Sequence, residues 1–176
     1  MTEQEPRWLS EDEQQMWRAS LGVLNLLPLF LERELQQLHG LSLHDYEILV
    51  RLSEAPDRRL RLTELAGLSN QSKSRLSHQM TRMENAGLVV RESCAADRRG
   101  QWAVLTDAGW ERLVKAAPDH VDGVRRHYVD LLTEEQKVVL REAFTVVMQH
   151  LHNADGGQTC PSVAGKPTAK AAGQAV

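Results

Sequence analysis

The chain has little cysteine, no long apolar run and no excess of positive charge, and each shortage excludes something. Two cysteines in 176 residues, Cys94 and Cys160, build no disulfide framework, and no Cys-x-x-Cys pair offers a structural zinc site. A reducing cytosol is the expected compartment. The longest apolar stretch, Leu21 to Leu31, is broken by Asn25 and Pro28 and is too short to span a bilayer. The acidic start of the chain lacks the basic patch and apolar run of a secretory signal, so a cytoplasmic protein without a membrane partner is expected. No nucleophile with a neighbouring base, Gly-rich phosphate loop or carboxylate pair can be named, which argues against an enzyme. His39 with His44, and His150 with His152, match no metal-ligand spacing; neither metal nor cofactor is expected.

A formal net charge of −3 is unlike the basic domain usual in a nucleic-acid binder. The sum hides a partition. Residues 1–50 carry 3 Lys+Arg against 9 Asp+Glu, residues 51–101 carry 10 against 6, and residues 102–176 carry 8 against 9. The middle segment alone is positive, an asymmetry expected when one part of a chain meets an anion and another does something else.

Ser10 and Glu13 have capping-box spacing ahead of Trp17, Leu21, Leu24, Leu31, Leu35 and Leu38, which predicts a long amphipathic helix ending before Gly40, kinked or split at Pro28. Extra apolar residues, among them Val23, Leu26, Leu27, Leu29 and Phe30, widen its stripe beyond one small core and imply a second copy of the chain. Ser42 caps the next helix, whose buried side is Tyr46, Leu49, Val50 and Leu52; Pro56 ends it. A charged connector, Asp57 to Arg61, precedes a short helix capped by Thr63 and carrying Leu65, Ala66 and Leu68. Ser69 to Gln71 form a turn, and Ser72 caps a longer helix to Ala86, with Gly87 as its left-handed terminator. That is a helix-turn-helix outline. The period then changes from 3.6 to 2: Leu88 to Glu92 and Gln101 to Leu105 read as strands around a polar loop, Ser93 to Gly100, making a wing. Thr106 caps a further helix, interrupted around Pro118 or continuing beyond it to Leu132. Thr133 and Gln136 box the start of the last helix, bearing Val139, Leu140, Phe144, Val147, Met148 and Leu151. From Asn153 the composition is that of a disordered tail.

On the longer helix Met80 and Met83 fall within about 40° of Leu76, and the three face the core. Ser74, His78 and Thr81 lie opposite, flanked by Arg75, Ser77 and Arg82. Small residues permit close approach to a major groove and the longer ones reach base edges, Arg75 toward guanine above all. Ser74, Arg75, His78 and Gln71 are the candidate base contacts. Ser72, Lys73, Ser77, Thr81 and Arg82 are the candidate phosphate contacts on this helix, the first two at a helix N-terminus that favours an anion. In the wing, the adjacent arginines Arg98 and Arg99 on a narrow hairpin tip suit a minor groove, and Asp97 can hold one guanidinium in a fixed direction.

The run Asp97-Arg98-Arg99-Gly100, followed by Leu105-Thr106-Asp107-Ala108-Gly109, resembles the wing signature of the multiple antibiotic resistance regulator (MarR) family, an Asp-x-Arg and then Leu-Thr-x-x-Gly. Leu62-Thr63-Glu64-Leu65-Ala66, Ser72 to Ser77 and Met83 to Val89 resemble its helix-turn-helix. The resemblance covers about residues 15 to 152. It implies a mainly α fold, a winged helix-turn-helix with long N- and C-terminal dimerisation helices: residues 10–40 and 107–152 dimerise, 41–106 bind DNA, and 153–176 form the tail. It implies a homodimeric, sequence-specific regulator, a repressor released by a small-molecule effector, on a pseudo-palindromic operator in double-stranded DNA, with Arg99 in the minor groove, Asp97 orienting it and Arg98 on a nearby phosphate. The family's effector position lies near Trp17, His39, His44 and Trp110. Oxidant-sensing members carry a cysteine near the N-terminus, which this chain lacks. The alternative from the residues alone is a winged helix that binds an acidic protein.

Overall fold

The computed structural model describes residues 5–69, 72–94 and 97–154, with the backbone alone of residues 73, 94 and 97–99. The elements run α1 (Glu11–His39), α2 (Leu43–Glu54), β1 (Arg59–Arg61), α3 (Leu62–Leu68), α4 (Lys73–Asn85), β2 (Val89–Cys94), β3 (Asp97–Leu105), α5 (Asp107–His127) and α6 (Glu134–Ala154). The fold is mainly helical, a winged helix set on long helices.

Local chemistry fixes most boundaries. The Ser10–Glu13 box opens α1, and Gly40, at φ 62°, closes it with its amide bonded back to the last turn. Ser42, Ser72 and Thr106 cap α2, α4 and α5, each accepting from the backbone amide three residues on. Thr133 and Gln136 exchange bonds before α6. Three expectations are corrected. Pro28 and Pro118 interrupt neither α1 nor α5; both lie at exposed positions, where water can serve the carbonyl left without a donor. α5 ends at His127, short of Leu132, and a 3-10 turn follows over Val129–Leu131. α3 begins at Leu62, with Arg61 in the cap position and no side-chain bond, so Thr63 sits inside the helix.

The connector after α2 is likewise more than a connector. After a 3-10 turn over Pro56–Arg58, in which Asp57 and Arg58 take left-handed backbone conformations, β1 joins the sheet. The order is β1-β3-β2, antiparallel throughout, with Leu60 opposite Ala103 and Val90 opposite Val104. Arg59 and Arg61 lie over the Trp102 ring at 5.0 and 4.8 Å and fasten this short edge strand. The strands run into the expected loop 93–100, with Ser93 paired to Gln101 and Cys94 to Asp97; a register shift at Ser93/Cys94 takes up Arg98 to Gly100 on β3. Helix α6 reaches Ala154, two residues into the expected tail; residues 155–176, with Cys160, lie outside the described residues.

The core lies beneath the sheet. Ile48, Leu49 and Leu52 of α2, Leu65 of α3, Met80 and Met83 of α4 and Val89 of β2 are fully buried. Each contributes on the order of 1.5–3 kcal/mol by leaving water. Leu35 and Ala116 tie α1 and α5 onto this lobe, whereas α6 buries nothing.

Candidate nucleic-acid interface

With Leu76, Met80 and Met83 turned inward, α4 presents Ser74, Arg75, Ser77, His78, Thr81 and Arg82 on its exposed side, with Ser72 exposed at its cap. This places six expected contacts on one helix face and a seventh beside it. Gln71 and the side chains of Lys73, Asp97, Arg98 and Arg99 fall outside the described residues.

Two polar brackets hold that helix. On one flank the buried Asp45 of α2 accepts at Oδ1 from Gln79 Nε2 (2.9 Å) and Arg82 Nη2 (2.7 Å). On the other, Arg91 of β2 donates from its backbone amide and Nε to the Glu84 carboxylate (2.8 and 2.7 Å), and from Nη2 to Thr81 Oγ1 (2.7 Å). The Arg91 bond holds the Glu84 carboxyl below its ordinary value, against a smaller opposing effect of burial. Thr81 and Arg82, expected on phosphates, are thus also internal ties. None of Asp45, Gln79, Glu84 and Arg91 stands out in sequence reading. The one available signal is Gln79, a polar residue about 60° from Leu76 on the wheel and so turned toward the core, which demands a partner.

The base of the hairpin is fixed by the Leu105-Thr106-x-x-Gly109 run. Thr106 Oγ1 caps α5 and lies 2.7 Å from the carbonyl oxygen of Gly87. A Cβ at Gly109 would overlap the Leu88 carbonyl oxygen and reach Leu105 Cδ1 at 2.7 Å, so glycine is what lets α5 dock there.

The four residues expected near an effector are not brought together. Trp17 stands half exposed toward the start of α1. His39 is buried at the end of α1, its Nε2 2.8 Å from Asp119 Oδ2 and its carbonyl accepting from Arg112 Nη1 at 2.7 Å. Trp110 is half-buried under the Arg58 guanidinium, 4.6 Å from the ring centre. His44 is exposed and opens into a cleft beside α4. The apolar groove lies elsewhere, an open space of about 510 Å³ between α1 and the end of α5, walled by Val23, Leu26, Phe30, His127, Tyr128 and Leu131. Beside it His127 and Arg126 bond to Glu34, and the His127 bond is the main reason that carboxyl lies below its ordinary value. Among the described residues no group of three or more His, Cys, Asp or Glu is placed to hold a metal, and no helix is long and apolar enough to cross a membrane.

A family model described as the MarR family matches residues 39–100. The crystal structure of AbsC, a MarR family transcriptional regulator from Streptomyces coelicolor, is 52% identical, with 84% of this chain and 99% of that one covered and a TM-score of 0.80. Sco3205, a MarR family transcriptional regulator from the same organism solved in complex with DNA, is 47% identical over 84% of this chain and 92% of its own, again at 0.80. The HTH-type transcriptional regulator PecS of Dickeya dadantii is 28% identical over 138 residues, 76% of this chain and 82% of PecS.

Proposed function

The chain belongs to the MarR family of DNA-binding transcriptional regulators, and from that premise we propose that it acts as a homodimer on a pseudo-palindromic operator, as a repressor that a small-molecule effector releases. The observation that carries the DNA reading is the exposed polar face of α4, fastened on one flank to α2 and on the other to the hairpin. A reading helix needs such support, because base discrimination rests on short, directional bonds. In this reading Arg75, Ser74, His78 and Gln71 meet base edges. Ser72, Lys73, Ser77 and Arg98 meet phosphates, with Thr81 and Arg82 at the margin of the contact. Arg99 enters the minor groove, oriented by Asp97.

Two observations support the second copy. Helix α6 carries Val139, Phe144, Val147 and Leu151 exposed, and the groove along α1 is apolar and open. Apolar surface on this scale seeks a partner. An effector acts by binding more tightly to the arrangement in which the two α4 helices are wrongly spaced.

The test is selection of duplexes from a random pool by the full chain, followed by titrations of variants. Arg99→Ala weakens binding on every sequence and lowers the salt slope, whereas Arg75→Ala chiefly relaxes base preference. Recovery of no common motif, or wild-type behaviour of both variants, rejects the reading in favour of a protein-binding winged helix.

A further inference from the structure

Between the N-terminal turn of α2 and α4 lies a cleft of about 430 Å³ lined by Ser42, His44, Arg75, His78, Gln79 and Arg82. We propose that this cleft seats a backbone phosphate of the bound duplex, with His44 as the contact supplied by α2. The inference rests on the DNA-binding reading of α4 and extends it to an element with no assigned part in it.

The argument begins with widths. A helix with its side chains is about 10–12 Å across and the major groove about 12 Å, so a helix lying in the groove has a phosphate strand along each flank. One flank of α4 is closed by the Arg91 bracket to Glu84 and Thr81. On the opposite flank Arg75, His78 and Arg82 form a stripe two turns long, and the cleft opens between that stripe and α2. The strand on that side therefore runs past His44.

Charge is consistent with this seat. Every residue lining the cleft carries a hydrogen-bond donor, and four are arginine or histidine. The carboxylate of Asp45, next to His44 in the chain, is buried, and its Oδ1 is taken by Arg82 and Gln79, so its charge is matched. Glu32 of α1 is engaged by the backbone amide of Leu43, and Glu47 lies one turn further along α2. His44 thus shares the cleft with Arg75, His78 and the Asp45-paired Arg82, so that a seated anion would gain a charge-assisted bond from Arg75 and N–H bonds from the imidazoles. Its ring donates one N–H when neutral and two when protonated.

A scan of single methylphosphonates tests the seat directly. The duplex is one selected by the wild-type chain from a random pool, and each phosphate in turn is made neutral. Wild-type affinity is expected to fall about tenfold at one phosphate in each half-site, the scale of one charge-assisted bond. His44→Ala should bind the unmodified duplex more weakly and lose clearly less than wild type at that phosphate, the remaining sensitivity belonging to the other donors of the cleft, while His44→Lys keeps the full sensitivity. Equal sensitivity of wild type and His44→Ala at every phosphate overturns the proposal. Selection of no duplex by the wild type would instead refute the DNA-binding reading itself, before the scan begins.

Discussion

Gly109 leaves room for the Leu88 carbonyl where any Cβ would collide, and Glu84 carries the charge that Arg91 answers. Any side chain at Gly109 meets the Leu88 carbonyl, a backbone atom that cannot turn away. Gly109→Ala is therefore expected to cost roughly 1–3 kcal/mol, the range of forced overpacking, read as a lower urea midpoint with an unchanged slope. A midpoint equal to wild type would mean that α5 is not seated as described. At Glu84 the sign of the pH effect follows from the bond to Arg91. The folded carboxyl lies below its ordinary value, so its contribution to stability is complete above the ordinary carboxylate range, about 4.3, and is lost as pH falls through the lower folded value. Glu84→Gln should be less stable than wild type at neutral pH, and the gap should narrow toward pH 3. A constant gap would show that the charge of Glu84 contributes nothing.

Elements became legible to the extent that their cause is local. The caps at Ser10, Ser42, Ser72, Thr106 and Thr133 are set by neighbours three residues away, and the αL glycine after α1 by carbonyls four and five residues back. The outer face of α4 also follows from its own wheel. β1 does not, because three residues with one apolar side chain show no period, and what makes them a strand is Trp102 to Val104, more than forty positions on. The brackets on α4 are hidden for the same reason: Gln79 finds Asp45 across 34 positions, and the Arg91 bond to Glu84 needs the hairpin to turn back first. The effector candidates failed to converge because a tryptophan or histidine in isolation says nothing of which cavity it lines. The Asp45 bracket also makes a prediction of its own. Asp45→Ala leaves the mostly buried Gln79 amide without its acceptor and frees Arg82, which should cost about 1–3 kcal/mol and weaken DNA binding beyond that loss, since α4 is then held from one flank only. Asp45→Asn, which keeps an acceptor for Gln79, should recover part of the stability. Equal losses in the two variants would rule out Gln79 as the reason Asp45 is buried.

At the scale of the molecule the partition of charge acquires a meaning. The positive segment, residues 51–101, contains β1, α3, α4, β2 and the first part of β3, whereas the acidic residues 1–50 include all of α1, which lies against α5 rather than beside α4. Pairing through α1 and α6 would set two basic lobes on one duplex and keep the acidic helices off it. The pairing is open to a direct test on α6, which buries nothing in its own chain although Leu140, Phe144, Val147 and Leu151 recur on one face. Because that face is uncovered within the protomer, charging it should leave the winged helix folded. Phe144→Glu combined with Val147→Glu is expected to turn a sedimenting dimer into a monomer with an unchanged helical spectrum. DNA affinity should fall by a hundredfold or more, since each half-site is then bound singly and the gain from tethering, on the order of 10²–10⁴, is lost. A doubly charged variant that still sediments as a dimer would place the interface elsewhere. One that is monomeric yet binds as tightly as wild type would separate operator recognition from pairing altogether.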